Sequence, residues 1–187
     1  MSSRIVIERI ATEEVLCASA TPEDLSLVET YGSASRRAEA LAWRGVVRRE
    51  LGCNVTISYD EFGAPEVDLS NQYISVSHSR DFVAVMFADL PCAVDVEDSR
   101  RDFRRVASKY LTAEEQALAE QYDLFGAMWC AKEAMYKYHR RGGIDFLRDT
   151  IIKEYRPEDD TLITLLMGEI LEVRLHRDDN LLIAEIY

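Results

Sequence analysis

The sequence predicts an α+β fold, because its helical and strand patterns are grouped along the chain and do not alternate as β-α-β units. One observation is the stretch 35–51, which is rich in Ala, Arg and Leu and predicts a long helix ending near Gly52. Another is the short apolar runs that predict strands, at 55–59, 73–77, 82–87, 150–153, 171–175 and 181–186. Each half of the chain thus contains both helices and strands.

The remaining elements of the first half follow from local signals. Residues 5–10 alternate between apolar and polar types and predict a strand. Thr21 before Pro22 predicts the N-cap and first residue of a short helix. The Gly-Ala-Pro sequence at 63–65 predicts a turn between two strands.

The second half begins where Leu90-Pro91 interrupts the strand pattern, and a strand is predicted at 92–97. Thr112 and Glu115 have the spacing of a capping box, which predicts the start of a helix. A further helix is predicted over 124–138 and ends before a Gly-Gly pair.

Composition narrows the class of protein. The chain has 187 residues, of which 48% are hydrophobic and 30% charged, as in a globular protein; we expect two units, 1–89 and 90–187. A net charge of −12 argues against a nucleic-acid or membrane-binding surface. The first ten residues have no apolar signal sequence, and the four cysteines form no CxxC pair, so we expect a cytoplasmic protein with reduced thiols and no zinc.

The first candidate site lies on the strand predicted at 92–97. Side chains alternate along a strand, so Asp95 and Glu97 point to the same face. Two adjacent carboxylates repel each other unless a cation lies between them, and magnesium prefers oxygen ligands. The alternative is the solvated face of an edge strand.

The second candidate lies on the helix predicted at 124–138. Trp129, Glu133 and Lys137 are spaced i, i+4 and i+8 and share one helical face, and Lys132 can approach the same ligand from its flank. Without further context, an amphipathic helix with a surface Glu–Lys pair explains the same pattern.

The third candidate is the Ser-His-Ser sequence of Ser77, His78 and Ser79, directly after a predicted strand. Hydroxyl and imidazole groups there can bind phosphate oxygens. A solvated histidine in a polar turn is the alternative.

Together and in this order, the three motifs resemble the 4'-phosphopantetheinyl transferases, specifically their single-chain Sfp-type branch. Asp95 and Glu97 match its G-x-D-x-E strand, the motif from Trp129 to Lys137 matches its W-x-x-K-E-x-x-x-K helix, and the Ser-His-Ser segment lies upstream. Two positions depart from the family pattern: Ala93 replaces the glycine of the strand, and Ala64 replaces the basic residue of a G-K/R-P turn.

The resemblance implies a pseudo-dimer of two similar α+β halves with coenzyme A in the cleft between them. Asp95, Glu97 and Glu133 would be ligands of Mg²⁺. Glu133 would also be the general base, and Lys137 would stabilise charge on the transferring or leaving phosphate.

The resemblance further implies that Ser77, His78 and Lys132 hold phosphate oxygens of coenzyme A. The 3'-phosphate needs its own cations, and Arg37 and Arg44 of the helix at 35–51 are the candidates. An ordinary charged helix face, with Glu39 and Glu50 as ion-pair partners, is the alternative for these arginines.

The implied activity is transfer of the 4'-phosphopantetheine group from coenzyme A to a serine of an apo acyl or peptidyl carrier protein, by a monomeric enzyme. Fatty-acid, polyketide and nonribosomal-peptide carriers are all compatible with the motifs. A magnesium-dependent phosphohydrolase acting on a nucleotide, or a non-catalytic relative that binds coenzyme A or a carrier, are the alternatives. The net charge would not steer an acidic carrier to this chain, so its docking surface must be less acidic than the whole or mainly apolar.

Overall fold

The computed structural model describes residues 2–187. The chain forms two compact units, one ending at Leu90 and the other comprising Pro91–Tyr187. Both units contain helices and antiparallel sheet, so the mixed helix-and-sheet architecture expected from the sequence is present. The similarity of the two halves stays a prediction.

Within residues 2–90, the first unit has three helices and five strands. In chain order they are β1 (Ser3–Arg9), α1 (Glu13–Ser19), α2 (Pro22–Glu29), α3 (Ala34–Leu51), β2 (Ile57–Tyr59), β3 (Pro65–Val67), β4 (Tyr73–His78) and β5 (Phe82–Ala88). One antiparallel sheet has the order β1-β5-β4, and β2 and β3 form a separate hairpin.

Helix α3 supplies much of the core of the first unit. Val46 and Val47 are fully buried and belong to one apolar cluster with Val83 and Val85 of β5. The helix begins where the Ser33 side chain accepts a hydrogen bond from the backbone of Arg36, and it ends at Gly52, whose φ of 114° favours glycine.

The second unit has one large sheet covered by helices. Its elements are β6 (Ala93–Asp98), a 3₁₀ helix (Arg104–Lys109), α4 (Ala113–Tyr122), α5 (Phe125–His139), β7 (Thr150–Arg156), β8 (Thr161–Leu166), β9 (Glu169–Asp178) and β10 (Leu181–Ile186). The sheet is antiparallel with the order β6-β10-β9-β8-β7, so β6 is an edge strand.

Helix α5 packs across β6 and β10, and this packing positions the candidate site. Ala131, Ala134 and Met135 are fully buried, and they share a core cluster with Ala93 and Ala184 of the two strands. The alanines at 131 and 134 of the helix and at 93 and 184 of the strands let the helix lie close to the sheet.

Four elements go beyond the sequence prediction, namely α1, β3, β8 and the 3₁₀ helix. Helix α1 has seven residues and no buried side chain, so it carries no periodic apolar face to detect. Among residues 2–187, no helix is both long and apolar enough to cross a membrane.

Candidate active site

Strand β6 and helix α5 bring four of the predicted site residues together. In the register of β6 on β10, Asp95 lies opposite Ala184 and Glu97 opposite Leu182, so both carboxylates are on the face covered by α5. Glu133 and Lys137 follow each other at i, i+4 along that helix.

Asp95 is buried and hydrogen-bonded to a lysine of α5. Lys137 Nζ donates to Asp95 Oδ1 at 2.7 Å and to the carbonyl oxygen of Val94 at 3.1 Å. This contact joins the C-terminal half of α5 to the edge strand.

Glu97 is fixed by a tryptophan and an arginine. Trp129 Nε1 donates to Glu97 Oε1 at 2.7 Å, and Arg101 Nη1 lies 3.2 Å from both carboxylate oxygens. The indole ring packs edge-on against Tyr110 and Phe146, with centroid distances of 5.1 and 6.1 Å. Aromatic packing therefore orients the hydrogen bond to Glu97.

Asp95, Glu97 and Glu133 form one group electrostatically. Burial raises the pKa of Glu97, and the charge of Asp95 raises it further. Burial likewise raises the pKa of Glu133, and the charges of Asp95 and Glu97 add to the shift, although Lys137 and Arg101 oppose it. The three carboxylates therefore carry more negative charge than their surroundings offset.

A bound cation would relieve this excess of negative charge. Within residues 2–187, no three Asp, Glu, His or Cys side chains converge as a preformed metal-ligand cluster. In this structure Lys137 contacts Asp95 and Arg101 contacts Glu97. The donor set still fits Mg²⁺, which takes oxygen ligands and commonly only one or two carboxylates, completing its shell with water and phosphate.

Lys132 does not have the position that the helical pattern predicts. Its side chain is fully buried, with Nζ 2.8 Å from Glu115 Oε1 and 2.7 Å from the carbonyl oxygen of Phe146. Glu115 also accepts hydrogen bonds from the backbone of Thr112 and of Ile152, each at 2.7 Å. Lys132 is thus enclosed in a network joining α4, α5 and β7, which argues against the phosphate-binding role expected for it.

Ser77 and His78 lie at the end of β4 in the first unit. The Ser77 side chain is buried, whereas the His78 side chain is about half exposed, with Nε2 3.6 Å from Glu39 Oε2.

The arginines of α3 make ion pairs within the first unit. Arg44 is buried, and its Nε donates to Asp24 Oδ1 at 2.5 Å. This pair argues against the expected contact of Arg44 with a 3'-phosphate, because that contact would expose or break it. Arg37 is partly exposed and pairs with Glu13 at 2.5 Å.

Two features of these surroundings were missed in the sequence. Arg48 shares Asp24 with Arg44, and the i, i+4 spacing of the two arginines is the signal that could have paired them. Arg101 follows Glu97 by four residues, but only the turn after β6 returns its guanidinium to that carboxylate.

Comparisons with known proteins agree with the geometry of the second unit. Residues 91–182 match the family model of the 4'-phosphopantetheinyl transferase superfamily. The chain is also similar to the 4'-phosphopantetheinyl transferase Sfp of Bacillus subtilis (strain 168), at 28% identity over 109 residues. That alignment covers 53% of this chain and 49% of the relative, so the chain spans about half of that protein's length. The second unit is therefore similar to the 4'-phosphopantetheinyl transferase superfamily over residues 91–182.

Proposed function

We propose that the protein transfers the 4'-phosphopantetheine group of coenzyme A to a serine of an apo carrier protein and releases 3',5'-ADP, with Mg²⁺ as cofactor. The proposal rests on three carboxylates that repel one another, those of Asp95, Glu97 and Glu133, and on the neighbouring Lys137. These four residues lie within the segment that matches the family model.

Asp95, Glu97 and Glu133 would hold Mg²⁺, which when bound neutralises charge on the phosphate oxygens of coenzyme A. Lys137, on the same helix as Glu133, provides a cation next to these carboxylates, because its ammonium group donates a hydrogen bond to Asp95. We propose that its Nζ donates to an oxygen of the pyrophosphate and stabilises the leaving phosphate. Ser77, His78 and Arg37 remain proposed contacts to the phosphates of coenzyme A. Arg44 and Lys132 are not proposed as contacts, because both are buried in ion pairs.

Glu133 is the proposed general base. Its carboxylate takes the proton of the carrier serine as the serine Oγ attacks the phosphorus that bears the pantetheine. The bond from that phosphorus to the bridging oxygen breaks, and 3',5'-ADP leaves with the electron pair. A raised pKa suits this role, because a base works best when its pKa approaches the working pH.

Turnover measured against magnesium concentration tests these assignments. Asp95→Ala and Glu97→Ala should regain part of their rate at high magnesium, because two ligands and the pyrophosphate remain. Glu133→Gln keeps an oxygen ligand but no base, so its rate should stay about 10²–10⁴ below wild type at every magnesium concentration. Glu154→Gln, an exposed carboxylate on β7, is the matched control and should match wild type.

If the turnover of Glu133→Gln recovered fully at high magnesium, Glu133 would be a metal ligand and not the general base. If coenzyme A were consumed by the wild type without any modification of a carrier, the activity would be that of a phosphohydrolase.

A further inference from the structure

A buried thiol that the proposed reaction does not use, that of Cys130, lies beside the carboxylates of the candidate site. Cys130 is on α5 directly after Trp129, and its side chain is fully buried. Residues spaced i, i+3 and i+7 share one face of a helix, so Cys130 lies on the face that bears Glu133 and Lys137. The thiol thus belongs to the same surroundings as the proposed base and the proposed phosphate-binding lysine.

The thiol contacts the strand that pairs with the carboxylate-bearing edge strand β6. Cys130 Sγ donates to the carbonyl oxygen of Leu182 at 3.5 Å. Leu182 lies on β10 opposite Glu97, and Ala184, two residues further along β10, lies opposite Asp95. Cys130 and Ala184 belong to one core cluster. These contacts place the sulfur at the level of β6 where the two carboxylates project.

Asp95 is the carboxylate that the thiol contacts. Burial raises the pKa of the Cys130 thiol, and the charge of Asp95 and a hydrogen bond from the thiol to this carboxylate raise it further. Lys137 opposes the shift, and the charge of Glu97 adds to it. Burial thus favours the protonated thiol, which has one hydrogen to donate.

The single S–H hydrogen has two acceptors within reach. The Leu182 carbonyl oxygen is neutral, whereas Asp95 is a charged acceptor, and charged acceptors form the stronger hydrogen bonds. The thiol therefore favours Asp95 and restricts the rotation of its carboxylate.

Lys137 also holds Asp95 in this structure, since its Nζ donates to Asp95 Oδ1 at 2.7 Å. In the proposed reaction this ammonium group turns to the pyrophosphate and gives up part of that contact. The Cys130 thiol is uncharged and buried, so the pyrophosphate does not compete for it. Asp95 therefore keeps a partner on α5 when Lys137 leaves.

Trp129 gives the same kind of support to the other carboxylate of β6. Its Nε1 donates to Glu97 Oε1 at 2.7 Å. Trp129 and Cys130 are consecutive residues of α5, and each contacts one carboxylate of the strand.

We propose that Cys130 is a positioning residue, whose thiol orients the Asp95 carboxylate toward the bound cation once Lys137 has moved to the pyrophosphate. The inference rests on the proposed function and adds to it a residue that acts through Asp95. The competing role is packing alone, since Cys130 belongs to the apolar core cluster of the second unit.

Alanine and serine at position 130 separate these two roles, because the side chains are similar in volume and differ by one hydroxyl donor. Mg²⁺ is titrated by calorimetry into each full-length protein in the presence of saturating coenzyme A. Cys130→Ala should raise the Kd of Mg²⁺ about tenfold, the lower end of the loss for groups that support a metal ligand, because a thiol is a weak donor. Cys130→Ser should bind Mg²⁺ more tightly than Cys130→Ala, and the magnesium concentration for half-maximal turnover should follow the same order.

The matched control is Cys92→Ala, because Cys92 is also buried and lies in the second unit. It should leave the Kd of Mg²⁺ unchanged. Thermal unfolding curves of all proteins without Mg²⁺ measure the effect of each substitution on the fold. Cys130→Thr, which also keeps a donor, replaces the serine variant if the latter does not fold.

The positioning proposal is overturned if Cys130→Ala binds Mg²⁺ as the wild type does, if the alanine and serine variants lose affinity equally, or if the wild type binds no Mg²⁺. An equal loss in Cys92→Ala would also overturn it, by assigning the effect to packing.

The two proposals can fail separately. If Mg²⁺ affinity depends on the donor at position 130 but the wild type modifies no carrier, the positioning role stands and the proposed function fails. If transfer occurs and the variants at position 130 bind Mg²⁺ as the wild type does, the function stands and the positioning role fails.

Discussion

Trp129 shows how a single side chain couples the core of the second unit to the candidate site. Its ring packs against Tyr110 and Phe146, while its Nε1 donates to Glu97. Groups that hydrogen-bond to a ligand of a metal fix the ligand's orientation, and their loss commonly weakens the metal site.

Replacing Trp129 by Phe should keep most of the packing but remove the donor to Glu97. We expect a loss of about 10–100-fold in metal affinity or turnover with little change in the fold. Metal titration by calorimetry and the far-ultraviolet circular dichroism spectrum measure the two effects. The matched control is Trp43→Phe in the core of the first unit; if both variants bind metal as wild type does, Trp129 does not orient a ligand.

Asp24 is a buried carboxylate of the first unit whose pKa is lowered by its partners. Burial raises its pKa, but hydrogen bonds from Arg48, Arg44 and Thr21 outweigh burial and bring it to about 2, below the ordinary 3.8. The folded state thus binds the proton less readily than the unfolded state. The resulting stabilisation is complete above the unfolded pKa and is lost as the pH falls through about 2.

Asp24→Asn should therefore lower the free energy of unfolding at pH 7, by about 3–5 kcal/mol, because it removes the buried anion that Arg44 and Arg48 share and leaves them only the exposed Glu23. The deficit relative to wild type should shrink as the pH approaches 2. Urea unfolding at several pH values, with the exposed Asp89→Asn as control, measures this. A deficit independent of pH would assign the loss to packing.

At the scale of residues, spacing predicted which side chains meet when they lie on one strand face or one helix face. Lys137 reaches Asp95, and the charges of Asp95 and Glu97 act on Glu133. Spacing could not predict the burial of Lys132 or Arg44, because their partners are 17 and 20 residues away and meet them only after the helices pack.

The orientation of α5 depends on the buried pair of Lys132 and Glu115. Thr112 caps α4 through the same glutamate, whose carboxylate also accepts from the backbone of Ile152 at the start of β7. One carboxylate therefore fixes two helices and a strand relative to each other. Glu133 and Lys137 are on the same helix as Lys132, so this buried pair also fixes where they lie.

Lys132→Met should destabilise the protein by about 3–5 kcal/mol, because it leaves Glu115 buried without its cation. The double variant Lys132→Met with Glu115→Leu should recover part of this loss, since no buried charge remains. Urea unfolding measures stability, and calorimetry measures coenzyme A affinity. If Lys132→Met had normal stability but bound coenzyme A more weakly, Lys132 would instead be a phosphate-binding residue.

At the scale of elements, the caps and apolar patterns predicted α3, α5 and β10 to within a residue or two, and they predicted the start of α4. The capping box at Thr112 is present, and β10 has the predicted bounds 181–186. Strand β8 was missed because TLITLL is a short apolar run compatible with either helix or strand. Its strand conformation depends on pairing with β7 on one side and β9 on the other.

At the scale of the whole molecule, charge and chemistry are distributed unevenly. The second unit contains the three carboxylates Asp95, Glu97 and Glu133 and a pocket lined by arginines. It also includes the segment that matches the superfamily. The first unit contains the Ser-His segment and the buried arginine network of α3. Composition alone indicated a globular acidic protein; the ordered motifs indicated the family.

Mass spectrometry of apo carriers tests the central claim most directly. The wild-type protein is incubated with magnesium, coenzyme A and a panel of apo acyl and peptidyl carrier proteins, and each carrier is weighed before and after. We expect at least one carrier to gain one phosphopantetheine on its serine while 3',5'-ADP accumulates in equal amount, and Glu133→Gln to show neither change at the same time point. No mass gain on any carrier, with the wild-type protein folded and coenzyme A either intact or hydrolysed, would contradict the proposed transfer.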